Sequence, residues 1–124
     1  MYILAINGSP NRSGNTYFLL RAVLDAKMPF CVACSSPCKE ACHAADAGLK
    51  EACDALEGAA AVVLGSPVYF GTVSAQLKAL RDKTRAMRTR KSLVGKPAGA
   101  VSVGAARFGG QETTVKALHD MLLI

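Results

Sequence analysis

Apolar and polar residues fall in blocks whose period changes along the chain. Tyr2 to Ile6 is a short apolar run closed by Asn7-Gly8-Ser9-Pro10, the pattern of a buried strand meeting a turn. Beyond the turn, Leu19, Leu20, Val23 and Leu24 share one helical face, and Asn15 or Thr16 is placed to cap the helix. Leu49, Ala52, Cys53 and Leu56 recur at i, i+3, i+4 and i+7 and predict a second helix. Ala60 to Leu64 is apolar at every position, as a strand covered on both faces must be, and it ends in Gly65-Ser66-Pro67. Val73, Leu77, Leu80, Thr84 and Met87 step at helical intervals, so a third helix runs from about Ser74 toward Arg88. Lys96-Pro97 then leads into a third strand, Ala98 to Val103, a glycine-bearing loop to Gly110, and a fourth helix with Val115, Leu118 and Leu122 inward.

Alternation of strands and helices implies a parallel sheet with right-handed crossovers and helices on both faces, the doubly wound three-layer α/β/α arrangement. One domain, residues 1–124, is expected. Two features depart from that arrangement. Only Ala26 to Phe30 is available for a strand between the first helix and the cysteines, and it contains Pro29. The sequence also closes on the uncapped apolar run Met121-Leu122-Leu123-Ile124. The expectation is a fold lacking one strand near residue 27 and a C-terminal strand and helix, because three strands leave raw edges.

Composition narrows the classes. At 51% hydrophobic and 19% charged, the chain is too apolar for a disordered protein. No apolar run exceeds six residues, the length of Ala59 to Leu64, far below the roughly 20 that cross a bilayer, and no basic segment precedes a long apolar one at the N-terminus. A cytoplasmic protein with no membrane partner is expected. In a reducing compartment, five cysteines favour metal, cluster or redox roles over structural disulfides.

In a parallel sheet a ligand sits beyond the carboxyl ends of the strands, so the chemistry should lie in the three loops that follow them. The first, Asn7 to Thr16, offers two glycines, several hydroxyl and amide side chains, Arg12 and a helix N-terminus, which suits a phosphate. It is not the nucleotide-hydrolase loop, because Gly8 and Gly14 are wrongly spaced and Asn15-Thr16 stands where Lys-Ser/Thr is required. The second loop carries Tyr69 and Phe70, which pack a flat ring or simply roof the core. The third, Gly104 to Gly110, has three glycines and Arg107 and permits close backbone approach to a planar ligand.

Asn7-Gly8-Ser9-Pro10 with Ser13-Gly14-Asn15-Thr16, Gly65-Ser66-Pro67-Val68-Tyr69-Phe70-Gly71 with Ser74-Ala75-Gln76-Leu77-Lys78, and Gly109-Gly110-Gln111-Glu112-Thr113-Thr114 occur in that order. With these motifs the chain resembles the NADPH-dependent FMN reductase family of flavodoxin-like proteins. The resemblance implies an FMN-dependent oxidoreductase. Its FMN phosphate would lie on Ser9, Asn11, Ser13, Asn15 and Thr16, and its ring against Pro67, Val68, Tyr69, Phe70, Gly71, Gly104, Arg107, Gly109 and Gly110. No catalytic triad or paired carboxylates accompany these loops, so no side chain is expected to act as acid or base.

Cys31, Cys34, Cys38 and Cys42 read C-x2-C-x3-C-x3-C. Four thiolates so spaced can converge on one tetrahedral ion or one [4Fe-4S] cluster, and spacing alone does not choose between iron, zinc and a redox disulfide at Cys31 and Cys34. The chain resembles the iron-sulfur flavoprotein branch of the family, which implies the cluster. It departs from that branch's C-x2-C-x2-C, having Pro37 where the third cysteine would fall. Cys53, on the stripe of the second helix, reads as a core residue, and His43 and His119 read as solvated or, for His119, near terminal carbonyls.

Lys78, Arg81, Lys83, Arg85, Arg88, Arg90, Lys91 and Lys96 surround a single acid, Asp82, within a chain of net charge +6. Such a segment is either a solvated helix end or a docking patch for an acidic redox protein such as a ferredoxin, or for NAD(P)H. Nucleic acid is not expected, since no recognition motif accompanies the charge. Bare sheet edges suit a homo-oligomer, a dimer or tetramer. Three readings follow: an electron-transfer flavoprotein linking cluster and FMN, an NAD(P)H-dependent FMN or quinone reductase without a cluster, and a zinc-stapled binding module.

Overall fold

The three apolar runs lie side by side as parallel strands. The computed structural model describes residues 2–9, 31, 33, 38–40 and 46–123. In it, β1 (Ile3–Asn7), β2 (Ala61–Pro67) and β3 (Ala98–Val103) form one sheet in the order β1-β2-β3. The helices are α1 (Ala47–Gly58), α2 (Ala75–Lys83), α3 (Arg85–Arg90) and α4 (Gln111–Leu123). β2 runs further than its apolar core because Ser66 and Pro67 pair with Ser102 and Val103. Pro67 is tolerated as the last strand residue, and the next amide, Val68, donates to the Val103 carbonyl at 3.0 Å.

Register assigns the two faces. Leu4 lies beside Val62 and Val62 beside Ala98, while Ile6, Leu64 and Ala100 form the next row. That face carries the core, closed by Leu49, Cys53 and Leu56 of α1, Leu77 and Leu80 of α2, Met87 of α3 and Leu118 of α4. Leu49, Leu77 and Leu118 are at most 1% exposed, each burial contributing about 2 kcal/mol before chain entropy is charged against it. Successive right-handed crossovers stepping in one direction put their helices on the same side, which is why α1 and α2 share this core. On the opposite face Ile3 is 70% exposed, and Ala5, Val63 and Val101 are only partly buried. The expectation that β2 is covered on both faces is therefore met on one face by the described residues. The helix expected at Leu19, Leu20, Val23 and Leu24, and the 26–30 segment, lie outside those residues.

The helix expected to run unbroken to Arg88 is interrupted at Thr84. Its hydroxyl donates to the Arg81 carbonyl at 2.7 Å and accepts from Arg81 Nη1 at 2.6 Å, while its amide is shared between the Leu80 and Arg81 carbonyls. This local bonding tightens the turn and ends α2. In α4, Thr114 and Leu118 are buried, whereas Val115 and Leu122, expected inward, are only partly so.

Lys96 performs a task its charge alone does not announce. Its ammonium donates to the carbonyls of Leu56 at 3.0 Å and Ala59 at 2.8 Å, and also to that of Glu57. These are orphan acceptors at the end of α1, where the helix dipole also favours a cation.

Candidate functional site

The turns after β1, β2 and β3 meet at the carboxyl end of the sheet. The Gly8 amide donates to the Gly65 carbonyl at 2.7 Å, and the Ser74 hydroxyl donates to the Gly8 carbonyl. Ser74 caps α2, accepting from the Leu77 amide at 3.3 Å, while its own amide donates to the Ser66 hydroxyl at 2.9 Å. The second and third loops close on each other. Thr113 Oγ1 lies 2.7 Å from the Gly71 carbonyl and 2.9 Å from that of Gly110. A side-chain carbon on Gly110 would lie 3.0 Å from Gly71 Cα, so position 110 must be small. The positive φ of Gly71 (76°) and Gly110 (95°) independently calls for glycine.

Gln111 holds the third loop from inside. Its amide oxygen accepts from the Gly109 amide at 2.8 Å, and its Nε2 donates to the Ala106 carbonyl. A side-chain carbon on Gly104 would lie 2.6 Å from that Nε2. On that side, the missing Gly104 side chain makes room for Gln111 rather than for a ligand. Tyr69 and Thr72 exchange backbone hydrogen bonds of 3.0 and 3.1 Å around Phe70 (φ 50°) and Gly71, the primed hairpin geometry. Phe70 stands fully exposed at the tip of this turn, and Phe108 is exposed beneath the Arg107 guanidinium, 5.5 Å from its ring centre.

Residues 8–9, 65–74 and 104–111 contain no carboxylate, and the amino ends of α2 and α4 begin at this end of the sheet. A phosphorylated planar ligand suits the loops, where Arg107 meets no acid, and the amino end of α2, whereas the amino end of α4 carries the exposed carboxylate of Glu112 in its first turn. Of the residues assigned to the phosphate, Ser9 is described and half-buried, while Asn11, Ser13, Asn15 and Thr16 lie outside the described residues. Those assigned to the ring, Pro67 to Gly71, Gly104, Arg107, Gly109 and Gly110, occupy two adjoining loops. Ser66, Ser74, Gln111 and Thr113 were not assigned roles from sequence, though all four lie within the motifs. Their signal was position, at a strand end or at the start of a helix.

Cys31 is exposed and Cys38 half-buried, and Cys34 and Cys42 lie outside the described residues. Among the described residues, three or more Cys, His, Asp or Glu side chains nowhere group as metal ligands would. Cys53 is 3% exposed in the core, as its stripe indicated, and His119 is exposed. Arg90 joins the cysteine segment to the helices, pairing with Glu40 at 3.0 Å and Glu57 at 2.7 Å. Its guanidinium, and then the Ser92 hydroxyl, hold the Glu57 carboxyl below its ordinary pKa.

The basic segment is not one free patch. Lys83 is 4% exposed, Lys96 is engaged as above, and Lys78 pairs with Asp82. Arg81 donates through Nε to the Met121 carbonyl at 3.0 Å, and burial lowers its pKa. Arg85, Arg88 and Lys91 remain exposed. No helix among the described residues is long and apolar enough to cross a membrane.

Residues 1–123 match the family described as NADPH-dependent FMN reductase. An iron-sulfur flavoprotein of Methanocaldococcus jannaschii is 40% identical over 142 residues, covering all of this chain and 72% of the relative. An iron-sulfur flavoprotein of Methanosarcina thermophila is 30% identical over 141 residues, covering all of this chain and 74% of the relative. An NAD(P)H dehydrogenase (quinone) of Geobacter sulfurreducens is 39% identical over 70 residues, 56% of this chain and 34% of the relative. The chain belongs to the NADPH-dependent FMN reductase family, an oxidoreductase family of flavodoxin-like α/β fold.

Proposed function

We propose that this family member is an FMN-dependent electron-transfer flavoprotein in which an iron-sulfur cluster exchanges electrons with FMN. The observation that supports the flavin half is the joining of the first loop's root, at Gly8, to β2 and α2, and of the second and third loops to each other, with no carboxylate among residues 8–9, 65–74 and 104–111. Ser9, Asn11, Ser13, Asn15 and Thr16 would hold the phosphate. Pro67 to Gly71 with Gly104, Arg107, Gly109 and Gly110 would hold the ring. Bound FMN supplies the one- and two-electron chemistry. The chain's residues bind it, orient it and shield it from water, and no side chain is assigned a proton to move.

Cys31, Cys34, Cys38 and Cys42 would ligate the cluster, a [4Fe-4S] unit by ligand number. Support comes from the relatives named as iron-sulfur flavoproteins and from the Arg90 to Glu40 pair, which tethers this segment two residues beyond Cys38. Exposed Arg85, Arg88 and Lys91 suit an acidic redox protein such as a ferredoxin as electron partner. The second reading, an NAD(P)H-dependent FMN or quinone reductase without a cluster, is favoured by the similarity of about half the chain to NAD(P)H dehydrogenases (quinone).

One anaerobic preparation separates them. Flavin together with iron and acid-labile sulfide in equal amounts supports the first reading. Flavin bands alone, bleached rapidly by NADPH, support the second. Zinc without iron in a colourless protein overturns both.

A further inference from the structure

Ser74 does more than an N-cap requires. A cap needs only an acceptor for the Leu77 amide, which the Ser74 oxygen provides at 3.3 Å. The same hydroxyl donates its proton to the Gly8 carbonyl, and Ser74 is wholly buried. Its amide donates to Ser66 Oγ at 2.9 Å, and that hydroxyl donates to the Pro67 carbonyl at 2.8 Å. Ser66 is wholly buried as well.

One unbroken chain of hydrogen bonds thus runs from Gly8, at the root of the first loop, through Ser74 and Ser66 to Pro67, at the root of the second. The space around Gly8 is closed: a side-chain carbon there would lie 2.7 Å from Leu77 Cβ and 3.1 Å from the Gly65 carbonyl. The root of the first loop is therefore fixed relative to α2.

We infer that Ser74 is a positioning residue that sets the separation between the phosphate end and the ring end of the flavin site, an inference that rests on the FMN reading above. A ligand with two recognised ends binds tightly only where both ends are met at once, because the second contact then forms at high effective concentration. Ser74 holds that span through the Gly8 link, which a caps-only residue lacks.

The test compares FMN with riboflavin, which lacks the phosphate, by flavin-fluorescence titration of the full chain. Ser74→Gly keeps a residue well accepted at a helix N-cap and removes the hydroxyl. Its expected effect is a loss of about tenfold in FMN affinity, the size of one buried hydrogen bond, with riboflavin affinity changed much less. Ser74→Thr is expected to restore the FMN to riboflavin ratio.

Equal weakening of both ligands, or no change in either, would reduce Ser74 to a helix cap and overturn the inference. Where Ser74→Gly does not fold, Ser66→Ala leaves the Gly8 bond in place and cuts the chain between Ser74 and Pro67; a selective loss of FMN over riboflavin is again expected, and equal or no change again overturns the inference. Failure of the unsubstituted chain to bind FMN overturns the flavin reading itself and is seen before any variant is made.

Discussion

The hydroxyl of Thr113, in the first turn of α4, lies 2.7 Å from the carbonyl oxygen of Gly71, at the tip of the turn that follows β2. Two loops that leave different strands are thereby joined by a side chain from a third element. Thr113→Val should release the second loop from the third while keeping the side chain's shape, whereas Thr113→Ser should keep the tie. A solvent-exposed bond of this kind contributes about 1 kcal/mol, so the Val variant should melt a few degrees lower and bind FMN several-fold more weakly. Unchanged FMN affinity in Thr113→Val would show that the two loops hold their places without it.

Phe70 bears a positive φ of 50° on a side chain that is fully exposed. The left-handed region costs a residue with a Cβ about 1 kcal/mol, and Asn-Gly is the preferred pair for this turn. Phe70→Asn should therefore raise the melting temperature by a few degrees. The same variant should lose flavin-dependent turnover, because an exposed, strained aromatic at the expected ring site has no stabilising reason to be there. A variant that is both more stable and fully active would remove Phe70 from the site.

Lys96 holds three carbonyls at the end of α1. Lys96→Met keeps the aliphatic stem and leaves those acceptors without their cation. A loss of about 2 kcal/mol is expected in urea denaturation, and Lys96→Arg should recover part of it. No change in the urea midpoint would mean that water serves the helix end equally well.

Glu57 makes the pairing of α1 with α3 through Arg90 pH-dependent. Its folded pKa lies below the unfolded value, chiefly because of Arg90 and then Ser92. The stabilisation is therefore fully present above the unfolded carboxylate's pKa, about 4.3, and is lost as pH falls through the lower folded value. Thermal melting followed from pH 7 to pH 3 should show this loss on the acid side, and Glu57→Gln should flatten it. Because the pair is well exposed, added salt should shrink the difference. An acid limb identical in Glu57→Gln would assign the effect to other carboxylates.

Much of the frame was legible because periodicity reports burial. β3 was bounded correctly, and Leu49, Cys53 and Leu56 were placed on the inner stripe of α1. The break at Thr84 was not legible, because it depends on a threonine hydroxyl meeting the Arg81 guanidinium and carbonyl, and the hydrophobic stripe continues through it. The turn at Phe70 was hidden because phenylalanine is not a turn former. The basic segment is only partly legible: a sequence counts charges, whereas Lys96 and Arg81 spend theirs on carbonyls that only the fold brings near. At the candidate site the motifs located the loops. Of what fastens them, the bonds from Ser74 to Gly8 and from Thr113 to Gly71 cross long sequence separations, while those of Ser66 and Gln111 are local but depend on loop geometry that periodicity does not report.

Gly8 engages both of its backbone groups, the amide with Gly65 and the carbonyl with Ser74, and it is buried. In heavy water its proton should be retained until the ends of β1 and β2 part, since no smaller opening exposes it. A slowly exchanging amide one residue beyond a strand gives solution spectroscopy a single resonance from which the junction of β1, β2 and the start of α2 can be followed.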